Sequence, residues 1–160
     1  MENTPYVFIS YCAQQTELKI FLSSLLEDLD FSCLTLEESR NASIDEARSL
    51  ITRADCYVGL LTPDVKTHDG RYVCRESINI QLGLAYSAKI PIQLFAFDNV
   101  DVSNIVFPLT HSIAKVQRFK TKFGKSIIFD AHNMRLLFKT LLDFKKQITL
   151  ISAIQEKAHV

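Results

Sequence analysis

Polar side chains stand directly after two apolar runs of this sequence, where they can serve one ligand together. Ser10 and Tyr11 follow a run of β-branched and aromatic residues at 6–9, and Thr62 and Asp64 follow a second such run later in the chain. Runs of this kind are typical of buried strands, and a parallel sheet presents its functional groups just beyond the carboxyl ends of its strands. We therefore expect these four side chains to meet at one edge of a sheet, where hydroxyl groups can hydrogen-bond a sugar.

A polar loop supplies one further candidate, Arg40, whose guanidinium can bind a phosphate group at the same edge. Each candidate also has a purely structural alternative. Arg40 can pair with Glu37 or Glu38, Tyr11 can close the core, and Ser10 can bond to neighbouring backbone.

The spacing of apolar residues, together with capping and turn residues, predicts the helices and strands that must position these residues. Ser43-Ile44-Asp45-Glu46 has the spacing of a capping box and marks the start of a helix. The predicted strands are 6–9, 33–36, 56–61 and 92–97, and the predicted helices are 15–30, 43–53 and 72–88. This alternation requires crossover connections between parallel strands. The sequence therefore predicts an α/β fold: a doubly wound, mainly parallel central sheet flanked by helices in three layers.

The pattern weakens beyond residue 98, where we predict a fifth strand near 113–116 and a final helix from about Asn133. We expect residues 1–160 to form a single domain, with 120–160 as a C-terminal helical extension packed on it. A chain of 160 residues is long enough to bury roughly two thirds of the surface that its unfolded form exposes.

The cysteines and the hydropathy favour a cytoplasmic protein. Three of the four cysteines border apolar runs, and none has paired spacing, which is typical of reduced thiols; they are Cys12, Cys33, Cys56 and Cys74. No charged segment followed by a long apolar stretch opens the chain, and no apolar run approaches the length of a membrane span. We therefore expect no membrane partner.

The formal net charge of zero hides two unlike parts. Residues 1–114 carry 8 Lys and Arg against 15 Asp and Glu, whereas residues 115–160 carry 10 against 3. We interpret the basic part as a solvated helix face, because its lysines are spaced and accompany no Gly-rich or aromatic nucleic-acid motif. Nucleic acid is thus not an expected partner, and head-to-tail self-association is an alternative use of the charge.

Several chemistries are excluded by spacing. The Gly-rich motifs of dinucleotide-binding and P-loop proteins are missing, and a phospho-receiver domain would need acidic residues directly after the first and third strands. The four histidines each stand alone, without a Cys, Asp or Glu at metal-ligand spacing, so we predict no metal site.

The order of the motifs resembles a TIR domain over about residues 5–97. The opening YVFISY resembles the first box of that family, the loop Glu37 to Ala42 takes the place of its BB loop, and Ser43-Ile44 begins a segment similar to its second helix. The strand CYVGLLTPD is similar to the one that leads into the catalytic helix. The resemblance implies a TIR or flavodoxin-like three-layer sandwich.

Many TIR domains, as the resemblance implies, cleave NAD with one glutamate on the helix that follows this strand, so NAD would be a substrate and no separate cofactor is needed. Cleavage of the nicotinamide–ribose bond develops positive charge on the sugar, and a fixed carboxylate stabilises that charge best where water is excluded. Nicotinamide leaves as a neutral molecule, so no strong general acid is required.

Two positions compete for the glutamate. In related bacterial sheets it begins a Glu-x-Gly-x-Ala pattern ten residues before a proline, and Gln81, Gly83, Ala85 and Pro91 match that pattern except for the acid. The alternative is Glu76, in Tyr72-Val73-Cys74-Arg75-Glu76, which fits a second family form. We favour Gln81, because the glycine and the ten-residue spacing are more constraining. With an amide at position 81, the resemblance predicts a nearly inactive protein.

The resulting hypothesis is a bacterial TIR-domain protein of antiviral signalling that binds NAD and makes an ADP-ribose-derived messenger for a separate effector. Gln81 then holds the catalytic position, and Ser10, Tyr11, Arg40, Thr62 and Asp64 bind the ligand. Two alternatives are a non-catalytic TIR module that self-associates through its surfaces and an enzyme similar to nucleoside deoxyribosyltransferases.

Overall fold

A parallel sheet of five strands lies at the centre of the computed structural model. The model describes residues 4–12, 15–36, 44–103, 114–119 and 131–158. In chain order the elements are β1 (Tyr6–Ser10), α1 (Thr16–Asp28), β2 (Ser32–Thr35), α2 (Ile44–Arg53), β3 (Cys56–Leu61), β4 (Val65–Lys66), β5 (Tyr72–Val73), α3 (Glu76–Ser87), β6 (Ile92–Phe97), β7 (Ala114–Phe119) and α4 (Ala131–Ala158).

The strand order of the sheet is β2-β1-β3-β6-β7, and every neighbouring pair is parallel. The chain moves from β1 outward to β2, then crosses back over β1 to β3 and continues in that direction. The direction of winding therefore reverses between β1 and β3, and the carboxyl ends of these two strands form the topological switch point. The predicted α/β class with a mainly parallel, doubly wound sheet is confirmed.

The two faces of the sheet are covered by different helices. Phe8 on β1 stacks on Tyr57 on β3 with ring centroids 5.7 Å apart, and α2 and α3 pack over that face. On the other face the Cys33 thiol lies 3.8 Å from the Ser23 carbonyl oxygen of α1. Because successive strand side chains point to opposite faces, this arrangement buries both sides of the sheet.

The long C-terminal helix α4 is joined to the face that α1 covers. Phe144 stacks on Phe31, which follows α1, with ring centroids 6.5 Å apart. Lys145 lies over the Phe31 ring and its ammonium group donates a hydrogen bond of 3.0 Å to the Asp30 carbonyl oxygen. On the inward face of α4, Leu137 and Leu141 are fully buried.

The predicted start of the third helix at Tyr72 is wrong. Tyr72 and Val73 instead form β5, which pairs antiparallel with β4, and α3 begins at Glu76. Two long-range contacts hold this segment extended: Tyr72 forms a bridge with Val100, and the Asp101 amide donates to the Tyr72 carbonyl oxygen at 2.7 Å. Tertiary contacts therefore override the helical pattern at this point.

The fifth strand is present, but it begins at Ala114 and continues to Phe119, and the final helix begins at Ala131. The second helix is described from Ile44, so the predicted capping serine, Ser43, lies outside the described residues. Within the described part of the chain, no helix is both long and apolar enough to cross a membrane.

Candidate functional site

The side chains of Ser10 and Gln81 meet at the switch point of the sheet. Ser10 is the last residue of β1 and is 1% exposed, and its hydroxyl donates a hydrogen bond of 2.6 Å to Gln81 Oε1. Gln81 lies one and a half turns into α3, which packs on this face of the sheet. Because Ser10 binds Oε1, the Nε2 amide group of Gln81 is the polar group left to meet a ligand.

Tyr57 brings a third polar group to the same place. Its neighbour in register on β1 is Phe8, and two residues further along the strands Gly59 is in register with Ser10. The Tyr57 ring leans over Gly59: a Cβ atom at position 59 would lie 2.9 Å from Tyr57 Cε1 and 3.5 Å from its hydroxyl oxygen. The tyrosine hydroxyl therefore reaches toward the carboxyl end of the sheet, at the level of Ser10.

The Tyr57 hydroxyl is buried, with the residue 0% exposed, and makes no hydrogen bond to any residue that the structure describes. Burial raises the pKa of this phenol, and the Ser10 hydroxyl, which lies close to it but outside hydrogen-bonding geometry, offsets part of the rise. A buried hydroxyl without a partner costs about 1 to 3 kcal/mol relative to a bonded one. Tyr57 is thus an unusual polar group to find at this point of the core.

Thr62 and Asp64 form a separate pair just beyond β3. The Thr62 hydroxyl donates to Asp64 Oδ1 at 2.5 Å, and Asp64 Oδ2 accepts from the Arg75 backbone amide at 3.0 Å. Both carboxylate oxygens therefore tie the end of β3 to the start of α3. The pair thus has a structural role at the N-terminus of α3, and its predicted role in ligand binding stays a prediction.

Two other predicted residues, Tyr11 and Glu76, have described surroundings of their own. The centroid of the Tyr11 ring lies 5.7 Å from the Lys19 ammonium on α1, and the residue packs against the core. Its role in ligand binding stays a prediction. Glu76 is exposed at the first position of α3, five residues before Gln81 and so about 140° around the helix from it. Arg40 lies outside the described residues.

Two titratable side chains on this side of the sheet, both among the described residues, are neutral. Burial raises the pKa of the Cys74 thiol to about 11, and the Asp64 carboxylate adds to the rise, so Cys74 is a neutral thiol at physiological pH. The Tyr57 phenol is neutral for the same reason. Such a site can bind a polar ligand through hydroxyl and amide groups. It supplies no negative charge at position 81 itself.

Sequence reasoning missed Tyr57 and Gly59. The signal was a tyrosine followed two residues later by glycine within one buried strand, because residues two apart share a face and glycine leaves room for the ring. Gly83 differs: a Cβ atom there would meet no atom of the described residues within 4 Å. Packing therefore gives no reason for glycine at position 83.

Comparison with known proteins finds likenesses of structure. No protein-family model and no curated protein sequence matches the chain. A CMP N-glycosidase from Clostridium botulinum, BcmB, is 15% identical with a TM-score of 0.48, over 72% of this chain and 88% of that one. The Vibrio vulnificus NanR protein, solved with ManNAc-6P, is 12% identical with a TM-score of 0.51, over 98% of this chain.

A third likeness is to the flavodiiron core of Flv1 from Synechocystis sp. PCC6803, which is 8% identical with a TM-score of 0.52 over 91% of this chain. This chain spans 55% of the matched NanR chain and 36% of the matched flavodiiron chain. At these identities the two likenesses establish the α/β three-layer fold and nothing about ligand or reaction.

Proposed function

We propose that this chain is a TIR-like domain that binds NAD, or a related ADP-ribose-bearing molecule, at the Ser10–Gln81 pair. The observation that carries the proposal is the 2.6 Å hydrogen bond that fixes Gln81 at the carboxyl ends of β1 and β3. Ligands of doubly wound sheets bind at this switch point. The sequence resemblance independently favours residue 81 over Glu76 as the reactive position.

With glutamine at position 81, the chain binds the ligand and cleaves it poorly. The amide keeps the shape of a glutamate side chain and can bond ribose hydroxyls, but it carries no charge to stabilise a sugar cation. With a carboxylate there, the bond between nicotinamide and ribose C1′ breaks, its electron pair leaves with neutral nicotinamide, and water adds to C1′ with release of a proton. The products of that hydrolysis are nicotinamide and ADP-ribose.

The biological role that we attach to this chemistry is bacterial antiviral signalling, in which an ADP-ribose-derived product, cyclic or conjugated in some family members, reaches a separate effector. This step rests on the TIR resemblance.

The test is nicotinamide release from NAD by the native chain, by Gln81→Glu, and by Gln81→Glu combined with Glu76→Gln. We expect the native chain to be nearly inactive and Gln81→Glu to release nicotinamide at least a hundredfold faster, since one preorganised electrostatic group contributes about 10²–10³ in rate. The added Glu76→Gln change should reduce that rate by less than about threefold, because Glu76 is exposed and lies on another face of α3.

The converse ranking, with Glu76→Gln abolishing activity, would move the reactive position to Glu76. Release of a free base from deoxynucleosides but not from NAD would select the deoxyribosyltransferase-like alternative.

A non-catalytic interaction module is the second candidate, and the neutral amide at position 81 favours it. Absence of NAD consumption by every variant, together with salt-sensitive self-association, would support that candidate. Opposite charge on the two parts of the chain supplies a physical basis for such association.

A further inference from the structure

Tyr57 is a buried polar residue that the proposed chemistry leaves unused. Phenylalanine would fill the same space beside Phe8 without the cost of a buried hydroxyl. Gly59 leaves the room that the Tyr57 ring occupies, and any larger residue at position 59 would meet that ring. Two positions of a buried strand, Tyr57 and Gly59, are therefore needed to place one hydroxyl at the level of Ser10.

The Ser10 hydroxyl can accept a hydrogen bond that its bond to Gln81 does not use. A serine hydroxyl has one proton and two lone pairs, and Ser10 gives its proton to Gln81 Oε1. The lone pairs of Ser10 can therefore accept from a second donor. The Tyr57 hydroxyl is a donor on the same face, and it has no partner in the described part of the chain.

We propose that Tyr57 is a positioning residue for the side chain at position 81. The structure places the Tyr57 hydroxyl beside Ser10 without the geometry of a hydrogen bond. In this proposal the hydroxyl turns to donate to Ser10 Oγ, and Ser10 donates in turn to the oxygen of residue 81, so that two hydroxyl groups act in series on that oxygen. No proton is transferred; both donors keep theirs. The proposal rests on the proposed function, in which residue 81 is the reactive position.

Two consequences follow for residue 81. As glutamine, it is held with Oε1 toward Ser10 and Nε2 toward the ligand. As a carboxylate, it is held ionised, because hydrogen bonds to the charged form favour that form and lower its pKa. A chain of hydrogen bonds polarises its members, so removal of the remote donor weakens the nearer one.

Other titratable groups on this side of the sheet are few among the described residues. The Cys74 thiol acts on Tyr57, and the Asp64 carboxylate acts on Cys74. Glu76 precedes residue 81 on α3, and on α2, which packs beside α3, the acids Asp45 and Glu46 and the bases Arg48 and Arg53 are exposed. The variants compared below leave these groups unchanged, so the effect of these groups on the pKa of residue 81 is the same in each variant.

The test is the pKa of the carboxyl group that Gln81→Glu introduces, measured by carboxyl ¹³C NMR titration. We expect Tyr57→Phe in that background to raise this pKa by roughly half to one unit, as the loss of one polarised hydrogen bond implies. The matched control is Tyr72→Phe, which removes a hydroxyl from the exposed strand β5 and should leave the pKa unchanged.

Ser10→Ala completes the design. We expect it to raise the same pKa by at least as much as Tyr57→Phe, and we expect Tyr57→Phe to add little once Ser10 is gone, because the chain is already broken. The acid limb of the pH profile for nicotinamide release should move in the same direction as the NMR pKa.

An unchanged pKa in the Tyr57→Phe variant, or equal and additive effects of the two substitutions, would overturn the proposal. A rise in melting temperature with no change in that pKa would likewise overturn it and would identify the hydroxyl as a merely trapped group. The NMR readout needs no activity, so failure of Gln81→Glu to cleave NAD would contradict the proposed function and leave the positioning role separately tested.

Discussion

Two glycines near the candidate site differ in how much space surrounds them. A side chain at Gly59 would press on the Tyr57 ring and on Leu94, at 2.9 and 2.8 Å from a Cβ atom there, and both neighbours are fully buried. Gly83 on α3 faces open space. Substitution by alanine at both positions therefore distinguishes the effect of steric crowding on stability from the ordinary destabilising effect of glycine.

We predict that Gly59→Ala lowers the free energy of unfolding by about 1 to 3 kcal/mol, because overpacking a buried site forces its neighbours out of place. The matched control, Gly83→Ala, should raise that free energy by about 0.5 to 1 kcal/mol, because alanine is the better helix former and nothing obstructs its methyl group. Urea denaturation of both variants measures the two values. A Gly59→Ala variant as stable as the native chain would mean that the ring of Tyr57 is not confined as described.

Part of the candidate site was predictable at the level of single residues. Ser10 follows from its place after an apolar run, and Gln81 from its spacing to Pro91, and the structure puts their side chains in contact. The contribution of Tyr57 was not predictable, because it depends on the lean of a ring along its strand and on the register between β1 and β3. The alternation of apolar and polar residues predicts which face of the sheet a side chain lies on. It does not predict how far that side chain extends along the strand.

Among the elements, α4 is held to the rest of the molecule by a contact that combines charge and packing. The Lys145 ammonium lies 4.6 Å from the centroid of the Phe31 ring and donates to the Asp30 carbonyl oxygen. Asp30 has a left-handed backbone, with φ of 63°, where the chain leaves α1. A cation at this point interacts favourably with the carboxyl end of a helix.

We predict that Lys145→Met lowers the free energy of unfolding by about 1 to 2 kcal/mol, because methionine keeps the unbranched stem and loses both the cation–π contact and the charged hydrogen bond. The neighbouring exposed residue provides the control: Lys146→Met should change the free energy by less than about 0.5 kcal/mol. Chemical denaturation compares them. Equal effects of the two substitutions would show that the contact with Phe31 and Asp30 adds no stability.

Element type was predictable where one pattern extended over many residues, as in α1, α2 and β3. The β4–β5 hairpin was not predictable, because strands of two residues have too short a pattern to detect. One contact that holds this hairpin is remote in sequence: Arg71 forms a salt bridge of 2.6 Å with Asp101. A contact within the hairpin segment adds to it, because the Asp64 amide donates to the Val73 carbonyl oxygen. Local propensity at Tyr72 gives way to these partners.

For the whole molecule, the order of the strands decides where chemistry can occur. The direction of winding reverses between β1 and β3, and the Ser10–Gln81 pair lies at the carboxyl ends of these strands, where ligands of doubly wound sheets bind. The residues on which the account depends thus come from separate parts of the chain, Ser10 near its start and Gln81 71 positions later. We propose that this edge of the sheet binds NAD, with residue 81 in contact with it.

The most direct test is the side-chain amide signal of Gln81 in the native chain, recorded by ¹⁵N NMR as NAD is added. The signal is identified by its loss in Gln81→Glu, and the other glutamine side chains, such as Gln155 on the exposed last part of α4, serve as internal controls. We predict a saturable shift of the Gln81 signal and none of the Gln155 signal, because Nε2 of Gln81 is the group left to meet the ligand. A Gln81 signal that stays in place at millimolar NAD would contradict binding of NAD beside residue 81.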